Sequence, residues 1–295
     1  MKDYLSALDA EINRQKMADR YYMTVQITNG TNGKNGQPDI CTHSYHPGNP
    51  AHDSYSVAKS VTAIGFGILC DRGLCKPDDR IGDYLSAYLT DGTDPGWGDL
   101  TLENVLRHRT GAAYGTDLDL TNAHLFDDPE WLHTFFAAPL DHAPGREMTY
   151  SDGNYYIIGR IMEQLTGEDV EKFMLREVFV PLGFHVNAWS RDIAGHTVCG
   201  TGLYMRTSDM AKLAWLLLHH GKWGQKQLLS AEFVERMAPP ADGFAAYGYG
   251  IGVAGNGLGA GGMYGQGWYF NRELQVALAW HSFNTPGLMD ICATL

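Results

Sequence analysis

Between Ser56 and about Leu74 the chain reads SVAKSVTAIGFGILCDRGL, apolar almost all the way round a helical wheel. In a water-soluble protein such a run is a helix buried on most sides, so neighbouring elements have to cover it. Gly65 and Gly67 within it predict points where those neighbours press close. The run is too short and too interrupted to cross a bilayer, which needs ~20 apolar residues, so no membrane contact is expected.

The flanking segments suggest what covers the helix. Leu5, Leu8 and Ile12 recur at helical spacing, giving an amphipathic helix over residues 3 to 18. YYMTVQIT and DICTHSY then read as strands joined by NGTNGKNGQP, whose Asn-Gly pairs supply the positive φ of a hairpin turn. From about Pro77 to Pro240 helical stretches alternate with Gly, Pro and Asp. Two helices there are well marked: NYYIIGRIMEQL closed by Gly167, and DMAKLAWLLLHH with Thr207 and Ser208 as cap candidates and Gly221 as terminator. Strand patterns return in AAYGYGIGV, GQGWYF and LQVALAWHSF. The predicted class is therefore α+β: residues 1–76 and 241–295 form an α/β sandwich domain whose antiparallel sheet draws strands from both chain ends. Residues 77–240 form an inserted, mainly helical domain, and the active site is expected in the cleft between the two.

Composition narrows the function. With 22 Lys plus Arg against 34 Asp plus Glu, the net charge of -12 and the lack of any basic cluster exclude a phosphate-backbone reader, so no nucleic-acid partner is expected. Five scattered cysteines, Cys41, Cys70, Cys75, Cys199 and Cys292, suit reduced, packed thiols better than a disulfide framework. The first twenty residues are charged and amphipathic, without a signal-peptide core, which points to the cytoplasm.

Ser56 and Lys59 are the sharpest chemical feature. Residues three apart share a helix face, so hydroxyl and amine can touch at the first turn, where polarised N–H groups also favour developing negative charge. A serine hydroxyl needs a neighbour to take its proton, and a lysine in an apolar site can serve. The plainer alternative is a capping serine with a surface lysine, but an unpaired Lys59 in so apolar a helix would be costly. Tyr150, in Tyr150-Ser151-Asp152 just before the helix near Asn154, could accept or relay a proton if Lys59 supplies positive charge. Its alternative is a turn tyrosine, with Ser151 or Asp152 capping the helix.

Together with VLRHRTGAAYG, PLGF and GTGLYMRTSDMAKLAWLLLHHGKWGQKQLLS, the phrases SVAK and YSDGN resemble the serine beta-lactamase-like hydrolases, of the class C beta-lactamase, DD-peptidase and family VIII esterase type. The resemblance runs from about Tyr22 to Phe283. It implies a beta-lactamase/transpeptidase-like fold, Ser56 as the acylated nucleophile, Lys59 as its hydrogen-bonded partner and Tyr150 as proton shuttle.

Two departures bear on substrate. Where the family usually has Tyr-x-Asn, this chain has Tyr150-x-Asp152, an acceptor-only carboxylate that would favour the ammonium form of Lys59 and shift the base role toward Tyr150. The family's strand bearing Lys or His, then Thr or Ser, then Gly aligns with Ala260-Gly261-Gly262, where the cation is missing. That cation helps hold the substrate carboxylate in beta-lactam-processing relatives, so weak beta-lactamase activity is implied. By the same resemblance the oxyanion hole is the backbone N–H groups of Ser56 and Met263, with Asp152 and Gly262 lining the substrate site.

The expected function is a serine hydrolase acting through a covalent acyl-enzyme on a small ester or amide, ester slightly favoured. The alternative is an idle, penicillin-binding-like protein that holds a ligand without turning it over. Tyr264, Trp268 and Tyr269 suggest a neutral or apolar acyl group. No cofactor or metal is expected: Cys41, His43, His46 and His52 lack metal-ligand spacing, and Gly250-Ile-Gly252-Val-Ala-Gly255 opens no helix that could face a pyrophosphate. His108 reads as structural. Cys70 and Cys75 read as helix-end packing. Oligomeric state is not legible.

Overall fold

A computed structural model describes residues 4–28, 38–48, 50–112, 128–240, 247–283 and 288–294. Helix α1 (Tyr4–Arg14) is shorter than its apolar pattern suggests, because Lys16 turns to φ +56° and ends the run. Strands β1 (Tyr21–Thr28) and β2 (Asp39–Ser44) follow and pair antiparallel, while the Asn-Gly turn proposed between them lies outside the described residues. Next come β3 (His52–Asp53), a 3-10 turn over Tyr55–Val57 and helix α2 (Ala58–Asp71), buried at every position from Ala58 to Leu69. Its glycines are there for room. A Cβ on Gly65 would collide with Met174 and one on Gly67 with the Phe233 ring.

The middle of the chain holds α3 (Ile81–Leu85), α4 (Gly96–Asp99), α5 (Leu102–Leu106), α6 (Trp131–Phe136), α7 (Asp152–Thr166) and α8 (Val170–Met174). Helix α7 stops where Gly167 adopts φ +67°, a left-handed cap. Two short strands that the sequence pattern does not disclose, β4 (Asn187–Trp189) and β5 (Leu203–Met205), join β3 in a sheet ordered β3-β5-β4. Helix α9 (Thr207–Leu218) follows, then a small hairpin, β6 (Lys222–Trp223) and β7 (Lys226–Gln227), and α10 (Ala231–Met237). The cap residue of α9 is Arg206, not Thr207 or Ser208; Thr207 is already helical, and its hydroxyl lies 2.9 Å from His281 Nδ1.

The last strands are β8 (Gly252–Ala254), β9 (Gly257–Gly262), β10 (Gln266–Asn271) and β11 (Val276–Ser282), before α11 (Leu288–Thr294). The strand expected over AAYGYGIGV is therefore mostly not one. In its described part Gly250 turns at φ +70° and passes so close to Lys59 and Ser60 that no side chain would fit.

Both chain ends build one antiparallel sheet, ordered β2-β1-β11-β10-β9-β8. Its two faces follow the period-two alternation of the strands. Val25, Ile27, Trp268, Phe270, Ala277 and Ala279 face the main core with α2, whereas Tyr21, Tyr269, Leu278 and Trp280 face α1 and α11 through Leu8, Ile12 and Leu288. Helix α9 belongs by sequence to the 77–240 stretch, yet it packs across β1, β10 and β11. Burying apolar side chains on both faces removes the sheet from water, at roughly 25 cal/mol per Å² of apolar surface. Among the described residues no helix is long and apolar enough to cross a membrane.

Candidate active site

The first turn of α2 is fixed from both sides. Ser54 N–H donates to Leu203 O (2.9 Å), tying the turn to β5, and Gly262 at the end of β9 abuts the Ser54 carbonyl and Tyr55 Cβ so closely that a side chain would collide there. Ser56, one residue on, is partly exposed, while Lys59 is fully buried.

Lys59 Nζ donates to Ser56 Oγ at 3.1 Å and to Gly200 O at 2.8 Å, and forms a short ion pair with Asp152. An ammonium has three N–H donors, and these three acceptors account for all of them. Asp152 opens α7, so its place is set by helix geometry, with the adjacent Tyr150 carried into the cleft. The Gly200 carbonyl comes from a tight segment in which Cys199 adopts φ +62° and Gly200 packs against the Asp152 backbone.

Tyr150 is 39% exposed, and its ring has two close neighbours. Lys59 Nζ sits 4.6 Å from the ring centroid on one side, and the His108 imidazole lies 4.4 Å away. The ammonium thus meets the π-face of Tyr150, a cation–π contact, whereas the sequence reading has it supplying charge to the phenol. The Tyr150 ring instead packs edge-on against Tyr247, centroids 5.9 Å apart, and the neighbouring Tyr155 hydroxyl donates to Leu106 O at 2.9 Å. Burial pushes both Tyr247 and Tyr155 well above the usual phenol range, so they stay protonated donors.

His108 was set aside as structural in the sequence reading, and it is structural in an instructive way. Its Nδ1 accepts from Ser151 N–H (3.2 Å) and lies 3.1 Å from Asn154 Nδ2, so the ring holds the start of α7 in register. Burial, then the charge of Lys59, lowers its pKa well below the ordinary value and keeps it neutral. The Tyr247 contribution went unread because YGYG looked like strand. The Gly200 carbonyl went unread because no side-chain pattern announces a backbone acceptor.

Of the other residues singled out, Trp268 and Tyr269 are core, on opposite faces of the sheet, because neighbouring strand positions point to opposite sides. Only Tyr264 is exposed, packed edge-on against Tyr55 at 5.3 Å. Cys41 is exposed, contrary to the expectation of a packed thiol, because it lies on the sheet-edge strand β2. Cys70 and Cys75 approach to 3.6 Å at the end of α2. Among the described residues no group of three or more His, Cys, Asp or Glu side chains is arranged to hold a metal.

The chain belongs to the beta-lactamase family, whose model matches residues 17–290. A protein of Escherichia coli O157:H7, provisionally named a D-alanyl-D-alanine carboxypeptidase, is 25% identical over 244 residues, covering 64% of this chain and 55% of that one. The chain thus spans about half the length of the curated relatives it matches. In fold it is similar to a penicillin-binding protein from Bacillus halodurans (18% identity, TM-score 0.71, 97% of this chain and 98% of the other). It is also similar to a D-stereospecific amidohydrolase from a Streptomyces species (18%, TM-score 0.67, 94% of each) and to EstCE1, a hydrolase with promiscuous acyltransferase activity (15%, TM-score 0.69, 94% and 93%).

Proposed function

We propose that this protein is a serine hydrolase that cleaves a small ester or amide through an acyl-enzyme, with ester favoured. The observation that carries the reading is the bond from Lys59 to Ser56 Oγ, made beneath the exposed ring of Tyr150. In this scheme Ser56 Oγ bonds to the substrate carbonyl carbon while its proton passes to the Tyr150 oxygen, which hands a proton to the departing alcohol or amine. Water then attacks the ester of Ser56, and the same relay returns a proton to Oγ.

The backbone N–H groups of Ser56 and Met263 are the proposed oxyanion donors, with Gly262 making room and Asp152 lining the substrate side. Asp152 and the Gly200 carbonyl fix the Lys59 amine against Ser56 Oγ, so Lys59 orients Ser56 and the proton traffic falls to Tyr150. The neutral Ala260-Gly261-Gly262 wall favours substrates without the carboxylate of a penicillin.

The test is covalent labelling by a fluorophosphonate with intact-mass detection. A single adduct, absent in Ser56→Ala, is expected; labelling that never occurs, or survives the substitution, favours a non-catalytic ligand-binding protein. Turnover of p-nitrophenyl butyrate should exceed that of nitrocefin, and the reverse order overturns the ester preference. Asp152→Asn should displace the acid limb of the pH–rate profile, and an unmoved profile removes Asp152 from the scheme.

A further inference from the structure

Three residues before Ser56, the chain passes the floor of a second concavity. This cavity, about 260 Å³, lies between β3, the Tyr55 turn, Tyr264 and the ends of β10 and β11. Its rim is aromatic: Tyr55 and Tyr264 meet edge-on, and Tyr264 and Phe283 are half exposed. Among the described residues that line it, Asp53 alone is acidic or basic, apart from His52. The carboxylate accepts the Tyr55 N–H at 2.8 Å, and no ion pair reaches it among the described residues. Burial pushes its pKa up, and the Tyr55 N–H bond offsets part of that rise.

Beside it, His52 is held neutral by burial, and its Nε2 is buried with no hydrogen-bond partner among the described residues. Around this floor also stand Tyr204 across from Asp53 on β5, Tyr22 against His52, and His281, whose pKa burial lowers to about 3. Arg206 follows Met205, the register partner of His52, but no ion pair joins its guanidinium to Asp53. A carboxylate without a counter-charge, set among ring faces, is the chemistry that recognises an organic ammonium, by ion pair and cation–π contact together.

We propose that this cavity binds a protonated primary amine, and that the substrate attacked by Ser56 carries one. The second half rests on the acyl-enzyme reading; the first does not. The position fits the missing cation on the neighbouring β9 wall. Where a cation on β9 would select a substrate carboxylate, its absence leaves Asp53 as the unpaired charge nearest in sequence to the nucleophile.

Two measurements separate the halves. In Ser56→Ala protein, n-butylammonium binding is followed by amide chemical shifts, with n-butanol as the uncharged control. Saturable shifts at His52, Asp53 and Tyr264, lost in Ser56→Ala/Asp53→Asn, are expected; equal response to both probes, or none, overturns the amine site. Asn keeps the acceptor for Tyr55 N–H, and Tyr264→Ala provides a second variant that should weaken the same shifts. In wild type, kcat/KM is compared for p-nitrophenyl esters of glycine, β-alanine and 6-aminohexanoate against acetate, butyrate and heptanoate. At least one amino ester should exceed its uncharged counterpart by about tenfold or more, the scale of one charge-assisted hydrogen bond, and Asp53→Asn should erase that ratio. Amine binding without any such ratio refutes the substrate assignment and leaves the site. Absence of all ester turnover counts against the hydrolase reading, not the site.

Discussion

Among the described residues two lysines are buried and placed by the same local rule, and only one of them meets a partly exposed hydroxyl. Lys59 follows Ser56 by three residues at the start of α2; Lys212 follows Asp209 by three residues in α9. Each amine also reaches a backbone carbonyl, Gly200 O at 2.8 Å and Gly183 O at 2.7 Å, and each is paired with an aspartate. The difference is in where the carboxylate comes from. Asp209 is on the lysine's own helix and fully buried, so the pair closes on itself. Asp152 comes from α7, leaving the local i+3 position to a hydroxyl that is partly open to solvent and stands beside Tyr150. Burial and ion pairing of a lysine therefore do not mark a reactive site; a reactive hydroxyl as its third partner does.

The largest expected effect separates the two. Lys59→Met should lower kcat/KM on p-nitrophenyl butyrate by about 10³-fold or more, the usual scale for disabling one member of a nucleophile–base unit, while Lys212→Met should leave it within a factor of a few. Equal losses would erase the distinction. Stability should show the converse. Lys212→Met takes the ammonium from the buried Asp209 carboxylate and leaves it the His185 N–H at 3.1 Å, which costs about 3–5 kcal/mol and should be read as a lower urea midpoint.

A smaller effect concerns the anchor of α9. His281, bonded to Thr207 and buried, has its pKa lowered to about 3, far below the ~6.5 of an unfolded chain. The unfolded state therefore binds a proton that the native state refuses, so this contribution is complete above about pH 6.5 and is lost progressively as pH falls toward about 3. From this residue alone, stability at pH 5 should fall by about 2 kcal/mol relative to pH 7, measurable by urea titration, and His281→Gln should flatten that slope. The smallest effect is at Tyr247. Tyr247→Phe removes the hydroxyl of the ring packed edge-on against Tyr150 and should reduce kcat by about tenfold, with KM little changed and the pH–rate profile displaced. A change in KM alone would make Tyr247 a packing residue.

Much of this was legible beforehand for a physical reason. Strands β1, β10 and β11 announce themselves as short runs rich in aromatic and aliphatic residues and bounded by turn signals, as strands buried on both faces do. Helix α2 announces itself because burial on every side leaves no polar stripe. Ser56, Lys59, Tyr150 and Asp152 were legible as candidates because side-chain chemistry at fixed spacing is local.

What escaped was short or was backbone. Strand β9 is glycine-rich, so its letters carry no strand pattern; only the resemblance pointed to it. Strands β4 and β5 are too short for periodicity to show. Trp268 and Tyr269 looked alike as letters and diverged once the sheet assigned them opposite faces.

From the sequence alone came the buried helix, the two-ended sheet and the identity of the groups that could react, since all of these follow from periodicity and local spacing. Tertiary structure alone decided that a carboxylate from α7 and a carbonyl from the Gly200 segment would meet Lys59, that Tyr247 would reach Tyr150, and that Asp53 would be left without a counter-charge. Those contacts join residues far apart in the chain, and no local propensity encodes which distant atoms will share a low-dielectric space.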